Sequence, residues 1–208
     1  MKVGIIDYGS GNFSSVYNSL SFLGNDLVVV TKPEELTSCD KIILPGVGSF
    51  FTAMDRLREL SLIDALNKAV IQDKKPYLGI CVGMQILAKK GFEIKEVSGL
   101  GWVNGDVNML ERGEADVSLP HIGWNDVQEY DNKVLFEGVN SEDPSFYFVH
   151  SYCLSVSADE DVEVTTTTHG KTFISAIRKN NIFGVQFHPE KSQRNGQKLL
   201  KNFVELNG

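Results

Sequence analysis

The sequence predicts an α/β fold, in which a mostly parallel sheet is flanked by helices and accompanied by a smaller region of antiparallel strands. Three observations carry this prediction. Strand-like and helix-like segments alternate through the first half of the chain, and the early strands are continuous apolar runs, as expected for parallel strands buried on both faces. The second half contains strand-like segments separated by Gly, Asn, Asp and Pro, which is typical of antiparallel strands.

The first half opens with an apolar strand over residues 2–7. A helix is expected over residues 13–23, because apolar side chains recur there every three or four positions and Gly24 ends the pattern. Further apolar strands are expected at 27–30 and 41–44. This order of strands and helices indicates parallel neighbours that are joined by crossover connections.

Two helices are predicted next, starting at Thr52 and Ser61, because each of these residues begins a pattern that resembles a capping box. Pro76 interrupts the helical pattern, and a short buried strand follows over 77–80. The remaining elements are strands expected at 102–103, 146–149, 162–168, 172–177 and 182–187, and a final helix with the apolar face Leu199, Leu200, Phe203 and Leu206. No linker or repeat divides the 208 residues, so one domain is expected over 1–208.

Composition argues against several classes of protein. Twenty Lys and Arg against 27 Asp and Glu give a formal net charge of −7, which disfavours binding along a nucleic-acid backbone. The N-terminal segment reaches Asp7 too early for a signal peptide, and no apolar run approaches the roughly 18 residues of a membrane span. Three cysteines cannot all pair. We therefore expect a cytoplasmic protein that binds neither nucleic acid nor membrane.

The strongest chemical signal surrounds Cys81. Gly79 and Gly83 flank it between a strand pattern and a helix pattern, an arrangement that resembles a nucleophile elbow with sulfur in place of the serine oxygen. The glycines allow strand and helix to approach closely around a strained turn, and the helix N-terminus favours the thiolate over the thiol. An inert core cysteine needs no flanking glycines. Cys81 is therefore the candidate nucleophile.

A nucleophilic thiol needs a base, and the base needs a group that orients it. His188 follows the last predicted strand, and Pro189 is expected to keep the backbone extended, so that His188 and Glu190 project to the same side. Glu190 can then bind one imidazole nitrogen while the other nitrogen faces the thiol. These three residue types indicate a Cys–His–Glu triad.

An oxyanion hole is expected beside the nucleophile. Gly46 and Gly48 follow a predicted parallel strand, and the carboxyl ends of parallel strands meet at one edge of the sheet. The backbone N–H of Val82 points toward the same place. The amides of this glycine segment and of Val82 are therefore candidates for binding the developing negative charge.

Two motifs together resemble the class I, triad-type glutamine amidotransferases. They are Gly79-x-Cys81-x-Gly83-x-Gln85 and Phe187-His188-Pro189-Glu190. Five longer segments also match and narrow the resemblance to the branch of the family that supplies ammonia to a cyclase-type synthase in histidine biosynthesis. These segments are 6–12, 45–50, 120–125, 146–152 and 188–192. The resemblance covers nearly the whole chain, in order and without large insertions.

The resemblance implies the class I amidotransferase fold and a reaction in which Cys81 attacks the side-chain amide of glutamine. His188 moves the proton, Glu190 holds His188, and a glutamyl thioester is hydrolysed after ammonia has left. The chain would form a heterodimer with the synthase subunit, to which the ammonia passes. The implied oxyanion residues are Gly46, Val47, Gly48 and Val82, the substrate residues are Gln85, Ser151 and Tyr152, and the interface residues are Asn12, Pro120, His121, Trp124 and Lys191.

Three alternatives stay open at the level of sequence. A paralogous amidotransferase subunit would serve another acceptor, such as a nucleotide sugar. A stand-alone cysteine hydrolase would act without a partner, although Gln85 and the Ser151-Tyr152 pair count against it. A flavin-binding or scaffolding module would account for the glycine-rich turn at 9–12, but it leaves Cys81 and the His-Pro-Glu motif unexplained.

No metal or cofactor is expected. His121 and His150 have no further ligand at zinc-like spacing, and His169 is expected in a surface turn. Cys39 and Cys153 lack the flanking glycines of the elbow, so they are expected to be inert.

Overall fold

A computed structural model describes residues 1–113, 117–128, 133–140, 142 and 144–206 of the chain. Its strands are β1 (Lys2–Ile6), β2 (Asp26–Val30), β3 (Lys41–Gly46), β4 (Tyr77–Cys81), β5 (Lys90–Gly91), β6 (Val97–Ser98), β7 (Gly105–Met109), β8 (His121–Asp126), β9 (Ser145–His150), β10 (Tyr152–Val156), β11 (Glu163–His169), β12 (Lys171–Lys179) and β13 (Ile182–Val185). Its α-helices are α1 (Phe13–Phe22), α2 (Phe50–Glu59), α3 (Leu62–Leu66), α4 (Val82–Gln85), α5 (Lys133–Phe136) and α6 (Gln193–Val204).

The main sheet has seven strands in the order β11-β12-β13-β4-β3-β1-β2. The five strands from β13 to β2 are parallel, whereas β12 and β11 are antiparallel to their neighbours. This confirms the predicted α/β class. The antiparallel pair extends the main sheet, however, where the sequence predicts a region beside it. The reason is local: a tight turn at Asn180, with a φ of 56°, folds β13 directly back onto β12.

Two smaller sheets complete the fold, with strand orders β10-β7-β5-β6 and β8-β9. The strand predicted at 102–103 is wrong, because the strand in this region begins at Gly105. Trp102 instead packs edge-on against Tyr77, with ring centroids 5.0 Å apart, and its indole N–H donates to Asn67. Two adjacent apolar residues such as Trp102 and Val103 give the same sequence pattern in a strand and in a buried bend, so the pattern does not distinguish the two.

The starts of α2 and α3 differ in detail from the predicted capping boxes. The α2 helix begins after Ser49, whose Oγ accepts a hydrogen bond from the Thr52 N–H at 3.0 Å, so Thr52 lies within the helix rather than capping it. Ser61 does precede α3, but its side chain makes no capping hydrogen bond. Its φ of 56° shows that the residue forms a left-handed turn between the two helices.

The core lies on both faces of the parallel strands, and every residue of β3 and β4 is buried. Even Lys41 is only 2% exposed. Its burial is tolerated because its Nζ donates to the carbonyl oxygens of Phe203 and Val204 at the end of α6. Burial lowers the pKa of this lysine. The C-terminal helix is therefore fixed on the sheet by its terminal carbonyl groups as well as by its apolar face.

The described residues include no helix that is both long and apolar enough to cross a membrane.

Candidate active site

Cys81 lies at a strained turn between β4 and α4. Its φ of 54° and ψ of −107° place it in a region that L-residues rarely adopt. The flanking glycines are required sterically: a Cβ atom at Gly79 would lie 2.1 Å from the carbonyl oxygen of Gly83, and one at Gly83 would lie 2.0 Å from that of Leu44. The backbone therefore has the geometry that the Gly-x-Cys-x-Gly pattern predicts.

The helix after the elbow differs from the amphipathic helix that the sequence predicts. The α4 helix is a single turn, and all four of its residues are buried. It packs against β3, β4, β10 and β13, so none of its faces is left for solvent. The Tyr77 hydroxyl donates to the carbonyl oxygen of Gly83 at 3.0 Å and fixes this turn against β4.

His188 and Glu190 meet directly after β13. His188 Nδ1 lies 2.8 Å from Glu190 Oε1, and both side chains are fully buried. A 3-10 turn over Pro189–Lys191 brings them together, which corrects the extended backbone that the sequence predicts. The backbone of His188 is fixed on both sides, since its N–H donates to the Tyr147 carbonyl and its carbonyl accepts from the Ser192 hydroxyl.

The charge state of His188 depends on its neighbours. Burial alone would lower the pKa of this imidazole, but the charge of Cys81 and the hydrogen-bonded carboxylate of Glu190 outweigh it and raise the pKa to about 10. His188 is therefore protonated at neutral pH in the presence of the thiolate. Its Nε2 atom is buried and has no hydrogen-bond acceptor among the described residues.

Asn12 contacts this pair, although the sequence assigns it to a partner interface. Its Nδ2 donates to Glu190 Oε1 at 2.7 Å and lies 3.2 Å from His188 Nδ1. Asn12 is only 3% exposed, so its amide is used inside the chain. Its position 178 residues before Glu190 in the sequence explains why no local pattern indicates this contact.

A cavity of about 250 Å³ opens beside Cys81. It brings together most of the residues that the sequence assigns to substrate and oxyanion binding, and it adds four that the sequence does not assign to this role. Its lining consists of Val47, Gly48, Cys81, Val82, Gln85, Glu93, Pro120, Val149, His150, Ser151 and Tyr152. Gly46 does not line it, because this residue is buried against the Tyr8 hydroxyl.

Two features of the lining bear on its chemistry. Gln85 uses its amide nitrogen within the chain, donating to the Tyr152 carbonyl at 2.9 Å and to Gln186 Oε1 at 3.0 Å. Its oxygen is therefore the end of the amide that is left for a ligand. Burial raises the pKa of Glu93, although the hydrogen bond that its carboxylate accepts from the Phe50 N–H lowers this pKa in part.

His121 and His150 form a neutral hydrogen-bonded pair beside the cavity. His150 Nδ1 lies 2.9 Å from the Tyr152 carbonyl and must donate to it, so its Nε2 accepts from His121 Nδ1 at 3.0 Å. Burial lowers the pKa of His121 to about 3 and that of His150 to about 4. His169 stacks on His121 at a centroid distance of 4.0 Å, so it is part of this cluster rather than a surface turn.

The residues predicted at a partner interface separate into two groups. Pro120, Trp124 and Lys191 are exposed, and Lys191 Nζ lies 5.8 Å from the centre of the Tyr147 ring. His121, in contrast, is 3% exposed and, like Asn12, makes its contacts within the chain. Only the first group forms part of an accessible surface.

The other two cysteines lack the surroundings of Cys81. Cys39 is buried and its thiol donates to the Glu35 carbonyl at 3.3 Å. Burial raises the pKa of Cys39, and it raises that of Cys153 to about 11. Both are therefore thiols at neutral pH. Within the described ranges, no group of three or more His, Cys, Asp and Glu side chains is arranged to hold a metal ion.

Comparisons with known proteins agree with this geometry. A family described as "Glutamine amidotransferase class-I" matches residues 4–206. The chain is 41% identical over 210 residues to the "Imidazole glycerol phosphate synthase subunit HisH" of Pelagibacter ubique (strain HTCC1062), covering 99% of this chain and 100% of that protein. It is 45% identical over 204 residues to the protein of the same name from Methanocaldococcus jannaschii, covering 98% of this chain and 99% of that protein.

Solved structures share the fold at lower identity. A "Crystal structure of glutamine amidotransferase" aligns with a TM-score of 0.72 and 24% identity, covering 98% of this chain and 97% of that one. The "Structure of PurLQS from Thermotoga maritima" aligns with a TM-score of 0.74 and 20% identity, also covering 98% and 97%. At these identities the likeness establishes the architecture.

Proposed function

This chain belongs to the class-I glutamine amidotransferase family, and from that premise we propose that it is the glutaminase subunit of an imidazole glycerol phosphate synthase. It hydrolyses glutamine to glutamate and ammonia, and it delivers the ammonia to a synthase subunit that forms imidazole glycerol phosphate and AICAR in histidine biosynthesis. Relatives of that name, at 41% and 45% identity over nearly the full length, support this acceptor over a nucleotide sugar.

One observation carries the chemistry: Cys81 lies at a strained elbow in the wall of a cavity of about 250 Å³, next to a buried His188–Glu190 pair. In the proposed first step, the sulfur attacks the side-chain carbonyl carbon of glutamine. The protonated imidazole of His188 then gives its proton to the leaving nitrogen. Ammonia departs and a glutamyl thioester remains on Cys81.

The second step hydrolyses the thioester. Water attacks the thioester carbon, His188 accepts a proton from this water, and the sulfur of Cys81 leaves as glutamate is released. Glu190 binds Nδ1 throughout, so that Nε2 faces the reacting atoms. The pair therefore begins the next cycle with a thiolate beside a protonated imidazole.

Both steps pass through a tetrahedral intermediate with a negatively charged oxygen. We assign its stabilisation to the backbone amides of Val47, Gly48 and Val82, which line the cavity. The Val82 amide is at the first position of α4, where no intrahelical acceptor exists. Gly46 is buried away from the cavity, and its role would instead be to position the end of β3, which leads into Val47 and Gly48.

The amino acid head group of glutamine is assigned to Gln85, Ser151 and Tyr152. Ser151 and Tyr152 line the cavity at the junction of β9 and β10, and the amide oxygen of Gln85 can accept hydrogen bonds from the α-ammonium group. Glu93 adds a carboxyl group to the same wall. These groups would orient the substrate so that its side-chain amide reaches Cys81.

The proposed partner surface consists of Pro120, Trp124 and Lys191, to which we add Ile122. Trp124 is 48% exposed and Ile122 is 59% exposed on β8, and exposed aromatic and aliphatic side chains of this kind are typical of protein interfaces. Pro120 belongs both to this surface and to the cavity wall. The surface thus adjoins the place where ammonia is formed. We propose that the complex acts in the cytoplasm.

The test uses the complex of this chain with its synthase subunit. Cys81→Ala should abolish synthesis from glutamine and leave synthesis from added ammonium salts unchanged, because only the glutaminase step needs the sulfur. Cys153→Ala is the matched control and should retain both activities, since Cys153 lies outside the cavity. Glutamine-dependent turnover by Cys81→Ala would overturn the proposed mechanism.

A further inference from the structure

We propose that Gln186 stabilises the thiolate of Cys81, with its side-chain amide donating a hydrogen bond to the sulfur and Gln85 holding that amide in the donating orientation. The inference rests on the proposed function, because it concerns the same nucleophile. Gln186 is outside every group of site residues that the sequence indicates, and it does not line the cavity.

The position of Gln186 is fixed by the sheet. Its side chain is fully buried, and its backbone N–H donates to the Ser175 carbonyl of β12 at 2.8 Å. Its Nε2 lies 3.6 Å from the Sγ of Cys81, a distance suited to an N–H···S hydrogen bond. A buried amide is costly unless its polar atoms are satisfied, so this contact accounts for a glutamine at this position.

The orientation of the amide follows from its neighbour. Gln85 Nε2 donates one hydrogen to the Tyr152 carbonyl at 2.9 Å and one to Gln186 Oε1 at 3.0 Å. Because Gln85 presents a donor, Gln186 must present its oxygen there and its nitrogen to the sulfur. The opposite orientation would place two nitrogen donors together and an oxygen against the thiolate.

The surroundings of the sulfur distinguish its two charge states. As a thiol, Cys81 finds the Val149 carbonyl at 4.0 Å, which is a long distance for S–H donation. As a thiolate, it accepts from Gln186 and lies beside protonated His188, and hydrogen bonds to charged acceptors are stronger than those to neutral ones. The titratable groups that face the sulfur or its cavity are Tyr8, Glu93, His150, Tyr152 and His188, with Glu190 behind His188.

The experiment measures alkylation of Cys81 in the full chain. Gln186→Met keeps the volume of the side chain and removes the donor. Iodoacetamide modification is followed from pH 5 to pH 10, with Cys81 resolved from the other cysteines by peptide mass spectrometry. We expect the pH midpoint of the reaction to rise by about one unit, so that modification becomes about tenfold slower at pH values below both midpoints. Iodoacetamide reacts with Cys81 without occupying the glutamine site. A change that only displaces Gln85, and so weakens glutamine binding, therefore leaves this midpoint unchanged.

Ser175→Ala is the matched control. It removes the buried hydrogen bond from Ser175 Oγ to the Thr165 carbonyl in the same part of the sheet, and it should leave the midpoint unchanged. If Gln186→Met also leaves the midpoint unchanged, the proposal is overturned, even where glutamine turnover falls.

A second measurement uses the unmodified chain and so does not depend on folding of the variant. The side-chain amide ¹⁵N–¹H signals of Gln186 should titrate with the same midpoint as the alkylation of Cys81. Amide signals that ignore this titration would overturn the proposal. Failure of the proposed function gives a different result, namely glutamine-driven synthesis by Cys81→Ala, whatever the behaviour of Gln186.

Discussion

Removing the amide of Asn12 should slow glutamine hydrolysis without loosening the complex. Asn12 Nδ2 donates to Glu190 Oε1 at 2.7 Å, and the other oxygen of this buried carboxyl group has no hydrogen-bond partner among the described residues. In Asn12→Ala, Glu190 therefore keeps only its contact with His188. A buried hydrogen bond to a charged group contributes about 1.5–3 kcal/mol. If this free energy is lost from the stabilisation of the transition state, kcat falls about 10- to 100-fold.

The assay compares glutamine-driven and ammonium-driven synthesis by the complex, together with the Kd of the partner subunit. Asn12→Ala should lower only the glutamine-driven rate. Asn181→Ala is the control, because Asn181 also donates two hydrogen bonds within the chain, to the part-buried Val70 and Lys75 carbonyls, but it does not line the cavity. If Asn12→Ala instead weakens partner binding and shows a normal rate at saturating partner, the residue acts at the interface and our interpretation is wrong.

Three further predictions concern stability and assembly. Gly83→Ala should lower the free energy of unfolding by several kcal/mol in denaturant titrations, because the new Cβ would lie 2.0 Å from a backbone oxygen; Gly11→Ala, with 3.7 Å to its nearest neighbour, should be nearly neutral. The pKa of His150 falls from 6.5 to about 4 on folding, so between these pH values the unfolded state binds a proton that the folded state does not. The free energy of unfolding should therefore drop by about 1.4 kcal/mol for each pH unit of acidification through this range. The same dependence of stability on pH in His150→Gln would contradict this prediction. Trp124→Ala should weaken partner binding at least about tenfold by calorimetry, whereas Phe22→Ala, at another exposed aromatic, should not.

The parallel half of the fold could be predicted because its signals are local. The runs that form β1, β3 and β4 are apolar apart from the lysine that begins β1 and the one that begins β3, and burial on both faces leaves this pattern in the sequence. The strand predicted at 102–103 failed because the role of Trp102 is set by Asn67, which lies 35 positions away. Patterns that depend on a distant partner give no periodicity to detect.

The same distinction divides the site. Cys81 and the His188–Glu190 pair lie in short motifs whose spacing has a steric or hydrogen-bonding cause, so they could be found along the chain. Asn12 and Gln186 reach their partners across 178 and 105 residues, and nothing in their neighbourhoods distinguishes them from structural amides. Only the fold brings these two amides to the reacting groups.

The site is also where the molecule departs from the rules that hold elsewhere in it. His188 Nε2 and Glu190 Oε2 are both buried in the triad and have no hydrogen-bond partner among the described residues. Cys81 adds a strained φ of 54° at the same place. An unpartnered imidazole nitrogen costs free energy in the free enzyme and is satisfied in the transition state, where His188 Nε2 exchanges a proton with the leaving nitrogen or the attacking water. The strained nucleophile and the unpartnered nitrogen lie together in the triad, whereas buried Lys41 donates to three carbonyl oxygens, so the fold tolerates this cost where the chemistry takes place.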